Sequence, residues 1–148
     1  MAYRQVRDIL KDIRNVHRQL ADFYESWDGR ARDQRAAAVL THVGRHEEFF
    51  KESLARYEPR AAEGILDTWI QYPPDETLND ALEEVGLSPE MSVDDVVEVV
   101  LRMDRALIEA YRQLADSTAA PRVKELFESL MELEETKNRS DAWSARDE

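Results

Sequence analysis

Five ionisable side chains stand where a helical repeat calls for apolar ones: His17, His46, Asp104, Glu134 and Lys137. His17 is four residues after Ile13 and seven before Tyr24, and His46 is three after Val43 and four before Phe50. Asp104 is four after Val100 and seven before Tyr111; Glu134 is four after Leu130, with Lys137 three further on. On a helix these spacings put each group on the apolar, inward face. A charge taken out of water is costly unless it pairs, holds an ion or reaches solvent. Two chemistries fit such a set. Carboxylates and imidazoles facing one another across a helical core build metal sites. The same groups, with the lysine, can instead satisfy one another as a metal-free polar network.

The elements that position them follow from apolar residues recurring at three and four. Val6 to Trp27 forms one stripe and Ala36 to Tyr57 a second; Val96 to Leu114 forms a third, and Val123, Phe127, Leu130 and Leu133 a fourth. The β-branched run Val93 to Val100 continues into RMDRALIEAYRQLAD without a turn signal, so it reads as helix. Ser92 with Asp95 three residues on predicts an N-cap and its carboxylate partner. No strand-and-turn pattern stands out, and the expected class is all-α.

Breaks at Asp28-Gly29, Pro73-Pro74, Gly86 with Pro89, and Pro121 divide the chain. Short links predict two antiparallel helix pairs, residues 3–57 and 92–143, within a single domain spanning 1–148. The connection 58–91 is long, which suits a bundle with one crossover between helices 2 and 3. Long structureless loops are uncommon, so short elements are expected there. ILDTWIQY predicts a short helix or an extended apolar segment, and ETLNDALEEVGL a short helix. Trp69, Ile70 and Tyr72 are expected to cover the bundle; the alternative is an apolar patch that recruits a protein partner. The tail SDAWSARDE is expected to be a fraying helix end.

Composition narrows the function. The net charge is −12, from 20 basic and 32 acidic residues, which argues against a nucleic-acid binder and against anionic membranes. The absence of cysteine excludes disulfides and thiolate chemistry. The N-terminal stretch carries charges at helical spacing and no apolar run for a signal or a span, so a cytoplasmic protein is expected. There is no phosphate loop, nucleophile elbow or HExxH.

The stretch from Met103 to Arg139, MDRALIEAYRQLADSTAAPRVKELFESLMELEETKNR, resembles the second half of a rubrerythrin or ferritin-like bundle. HRQLADFYES in the first half echoes DRALIEAYRQ in the second. The resemblance implies an antiparallel four-helix bundle with a di-iron site. In that family the first and third helices each supply a glutamate, and the second and fourth each a Glu-x-x-His pair. Those positions fall here on His17, on Asp104, on Val43 with His46, and on Glu134 with Lys137. Only His46 and Glu134 match outright. Two carboxylates stand where the family uses four, and Lys137 puts a positive charge where a metal ligand belongs.

The resemblance therefore implies a bundle that has lost ferroxidase or peroxidase activity, needs no cofactor, and acts as a non-catalytic interaction or scaffold module, most simply a homodimer. The alternative is an iron-handling or redox protein with a reduced site. Its ligands would be His17, His46, Asp104 and Glu134, a nitrogen and oxygen set that suits Fe, Mn or Zn, and Lys137 would have to swing away. His42 and His46, four apart, also suit zinc, but His42 lies on the flank of its stripe and is expected to be partly exposed. Glu47-Glu48 and Asp94-Asp95 are expected to be solvated or to serve helix dipoles.

Overall fold

The computed structural model describes residues 2–57, 63–72 and 88–146. Four long helices carry them: α1 (Val6–Asp28), α2 (Gln34–Tyr57), α4 (Val93–Asp116) and α5 (Pro121–Arg146). A single turn, α3 (Glu63–Leu66), precedes a short strand. Helices α1 and α2 pack along their lengths as one hairpin, and α4 and α5 as another. Ile9, Leu10 and Tyr24 of α1, Leu40 and Val43 of α2, Met103 and Leu107 of α4, and Phe127 of α5 share one core. Among the described residues, no helix is long and apolar enough to cross a membrane.

Local chemistry sets the helix ends. Ser92 Oγ accepts from the Asp95 backbone N–H, and Asp95 Oδ2 accepts from the Ser92 N–H, each at 3.2 Å. This reciprocal cap begins α4 as the sequence predicts. Asp33 caps α2 in a related way, its Oδ1 accepting from Arg35 N at 2.8 Å and Ala36 N at 3.3 Å. Gly44 lets α1 and α2 approach: a Cβ there would lie 3.1 Å from Glu25 Cγ and 3.7 Å from Ala21 O.

The chain departs from a purely helical reading at its start. Residues 3–5, expected in the first helix, belong to β1 (Ala2–Gln5), which pairs antiparallel with β2 (Trp69–Tyr72). ILDTWIQY thus divides into the turn α3 and an extended segment. The first backbone N–H groups of a helix lack intrahelical partners. Val6 N, the first of α1, donates to Thr68 O at 2.9 Å, tying the ribbon to the helix end. Strand alternation sends Ile70 into the core and leaves Trp69 63% exposed, so Ile70 and not Trp69 covers the helices.

Ahead of α4, Pro89 O accepts from Arg32 N at 2.9 Å, and Glu90 pairs with Arg32 at 3.0 Å. These bonds hold the start of α4 beside the α1–α2 turn. The short helix expected over ETLNDALEEVGL, the Pro73-Pro74 break and the Gly86 boundary lie outside the described residues, as do the side chains of Tyr57 and Tyr72. In the tail, α5 continues to Arg146.

Candidate functional site

Each long helix contributes to one charged cluster inside the core: His17 from α1, Glu47 from α2, Asp104 from α4, and Glu134 with Lys137 from α5. The other four members of the cluster are wholly buried, and Lys137 itself is 8% exposed. Its Nζ lies 2.5 Å from Glu47 Oε1, 2.5 Å from Glu134 Oε1 and 3.1 Å from Asp104 Oδ1. Glu47 Oε1 accepts a hydrogen bond from the ammonium, and Asp104 and Glu134 face it as ion-pair partners, so carboxylates from three helices surround one cation.

Glu47 is the bridge of the cluster. Its second oxygen, Oε2, meets His17 Nδ1. His17 Nε2 lies 3.2 Å from the Tyr111 hydroxyl and 3.6 Å from Glu134 Oε2. The imidazole stacks on Phe50 with ring centroids 4.1 Å apart, which fixes the plane in which both nitrogens reach their partners. At the margin, Asn138 Nδ2 approaches Asp104 Oδ2 at 3.5 Å.

The two buried glutamates respond oppositely to this setting. Burial alone would raise Glu47, but Lys137 and His17 outweigh it and bring the carboxyl down to about 2. Burial wins at Glu134, whose pKa is raised although Lys137 and His17 oppose the change. Burial lowers the pKa of Lys137, and Glu134, Glu47 and Asp104 more than reverse that. The Tyr111 hydroxyl is raised well above its usual value by burial and by Glu134. Three carboxylates face one ammonium and one imidazole, and the nearby Glu47 charge adds to burial in raising Glu134.

Of the residues expected to act together, His17, Asp104, Glu134 and Lys137 do meet. His46 does not join them. It is half-buried, its ring lies against His42 at 4.1 Å between centroids, and it borders an apolar cavity. Glu47, expected to be solvated, takes the interior place. Along α2 the buried face runs Val43, Glu47, Phe50, Leu54, stepping four, three and four. A path through His46 would step three and then four, and spacing alone does not separate the two. The available signal was the match between Glu47-x-x-Phe50 and Glu134-x-x-Lys137. The fourth stripe also shifts slightly: Leu126 is buried and Leu133 exposed.

His17, Glu47 and Glu134 can each offer one donor atom within 4.8 Å of the others, which is a geometry a metal ion could use. The Lys137 ammonium lies among the same oxygens, however, and has no lone pair while protonated. A divalent ion and that ammonium compete for the same carboxylates. With Lys137 in place two of those donors, Glu47 and Glu134, are already paired with a cation. No protein-family model matches this chain, and comparison with curated proteins and with solved structures returns no match.

Proposed function

We propose that this chain is a ferritin-like four-helix bundle in which a buried lysine replaces the metal, and that it serves as a non-catalytic interaction or scaffold module. The observation that carries this is the Lys137 ammonium, bonded to Glu47 and Glu134 and within 3.1 Å of Asp104. Ion pairs of this kind hold helices in register without offering a reactive position.

The bonds of Arg32 to Pro89 and Glu90 support the crossover. Helix α2 leaves the α1–α2 turn, and α4 starts again beside it, an arrangement that suits a crossover between the two hairpins. The Glu-x-x-His pairs of the ferritin-like family would then fall on Glu47 with Phe50 and on Glu134 with Lys137. Both histidine places are filled by side chains that do not ligate. The β1–β2 ribbon supports an interaction role. By its register Tyr3 and Trp69 share one face, and they are 65% and 63% exposed.

A metal-binding protein is the second reading, favoured by the three donors of His17, Glu47 and Glu134. Elemental analysis of untagged protein, with melting scans with and without Fe, Mn and Zn, separates the two. The lysine-centred reading expects metal far below stoichiometry and an unmoved Tm, because only a ligand of the folded state raises stability. A metal-dependent rise in Tm that vanishes in Glu134→Ala would sink it.

A further inference from the structure

A cavity of about 460 Å³ opens between α2 and α5, next to the charged cluster. Phe49, Phe50, Leu54, Leu130 and Leu133 supply its apolar lining, and the Lys137 side chain forms part of the wall. Volumes of this size suit small molecules. We propose that this cavity is a binding site for an uncharged, apolar small molecule, such as an alkyl chain or a fused aromatic ring system.

The polar atoms around the cavity argue for an uncharged occupant. The Ser53 and Thr136 hydroxyls border it, but each donates to its own helix, to Phe49 O at 2.9 Å and Glu132 O at 2.9 Å; His46, packed against His42, and Ser140 border it as well. Lys137 forms part of the wall, but its ammonium is paired with three carboxylates of the cluster. An anionic ligand would therefore meet no spare cation in that ammonium, and would approach a chain of net charge −12. Phe50 is the partition: one side stacks on His17 and the ring borders the cavity.

The size of the patch argues against a second protein. Phe49 and Leu133 are the large apolar side chains of this rim that stand exposed, at 65% and 56%. A stable dimer buries about 800 Å² on each partner, far more than two side chains and a small cavity supply. The neighbouring cavity, of about 330 Å³, shares Leu130 and Leu133 and adds Ile65 and Leu126, but Arg122 and Glu125 border it and bring charge to its lining.

Fluorescence titration with N-phenyl-1-naphthylamine, a neutral apolar probe, tests the site, with displacement by dodecanol and by dodecanoate. Two variants at exposed positions leave the core intact: Phe49→Ser removes part of the rim, and Leu133→Trp fills the mouth. Saturable binding of one probe per chain is expected, weakened about tenfold by Phe49→Ser and abolished by Leu133→Trp, with dodecanol the better competitor. Absence of saturable binding overturns the proposal, as does binding that both variants leave unchanged. Tighter competition by dodecanoate would show that a cation is offered to the ligand and overturns the uncharged class. Sedimentation of the same samples completes the test. A dimer dissolved by Phe49→Ser, with no probe bound, assigns the face to a second copy and overturns the small-molecule reading.

Discussion

Lys137 on α5 and Glu47 on α2 meet at 2.5 Å, and each also holds a second helix: Lys137 through Asp104, Glu47 through His17. The contact joins the two hairpins at the centre of the core. Removing one partner of a buried pair leaves the other without compensation, so each side chain can be tested by its loss.

Lys137→Met keeps the length and apolar stem of the side chain but removes the ammonium. Three buried carboxylates then lose their common cation. The expected loss of stability is about 3 to 5 kcal/mol at neutral pH, read from the urea midpoint. The loss should shrink on mild acidification, as the carboxylates take up protons. A variant as stable as the native chain would mean that the cluster is hydrated or differently paired.

The acid limb of stability belongs largely to Glu47. Its folded pKa, about 2, is below the ordinary 4.5, so its contribution is complete above 4.5 and lost as pH falls toward 2. The shift corresponds to about 3 kcal/mol as an order of magnitude. Glu134 works in the other direction: its raised pKa means that the fold gains stability as pH falls through that value toward 4.5. Lys137, raised above 10.5, contributes fully below 10.5 and loses its contribution as pH rises beyond it. Denaturation across pH should show a maximum in mild acid, and Glu47→Gln should flatten the decline between 4.5 and 2.

The phase of α2 is tested by a pair of variants. Glu47→Gln should destabilise by about 2 to 4 kcal/mol, because His17 and Lys137 lose a charged acceptor. His46→Gln should cost under about 1 kcal/mol, because His46 is half-buried and outside the cluster. Equal effects would place both residues at the centre.

Lys137→His replaces the ammonium with a ligand that has a lone pair. If the lysine stands in for a cation, this variant should gain a Tm rise with Zn or Fe that the native chain lacks. The gain should disappear in the double variant with Glu134→Ala. Thermal melts with and without the metal give the answer.

Ser92→Ala should lower stability by about 1 kcal/mol through loss of the reciprocal cap at the start of α4. Hydrogen exchange at the Asp95 amide should accelerate in the same variant.

Periodicity made the long helices legible, because burying one face of a helix demands apolar residues every three to four positions. Ser92 and Asp95 marked a helix start, because the cap is a local device. Residues 2–5 were not legible as a strand, since their partner, Trp69 to Tyr72, lies more than sixty positions away and pairing leaves no local signature. Glu47 and His46 illustrate the same limit inside a helix. Neighbouring residues lie about 100° apart around the axis, and either fits a three-and-four pattern.

Inwardness at His17, Asp104, Glu134 and Lys137 followed from their own neighbours in the chain. Their mutual arrangement did not. Whether an interior lysine meets a carboxylate, a histidine or a cavity depends on the axial level at which four helices stack. That level is set by packing between residues as distant as Glu47 and Lys137. The tertiary structure thus chose Glu47 over His46, gave Lys137 three carboxylates, and set its side chain at the edge of an apolar cavity.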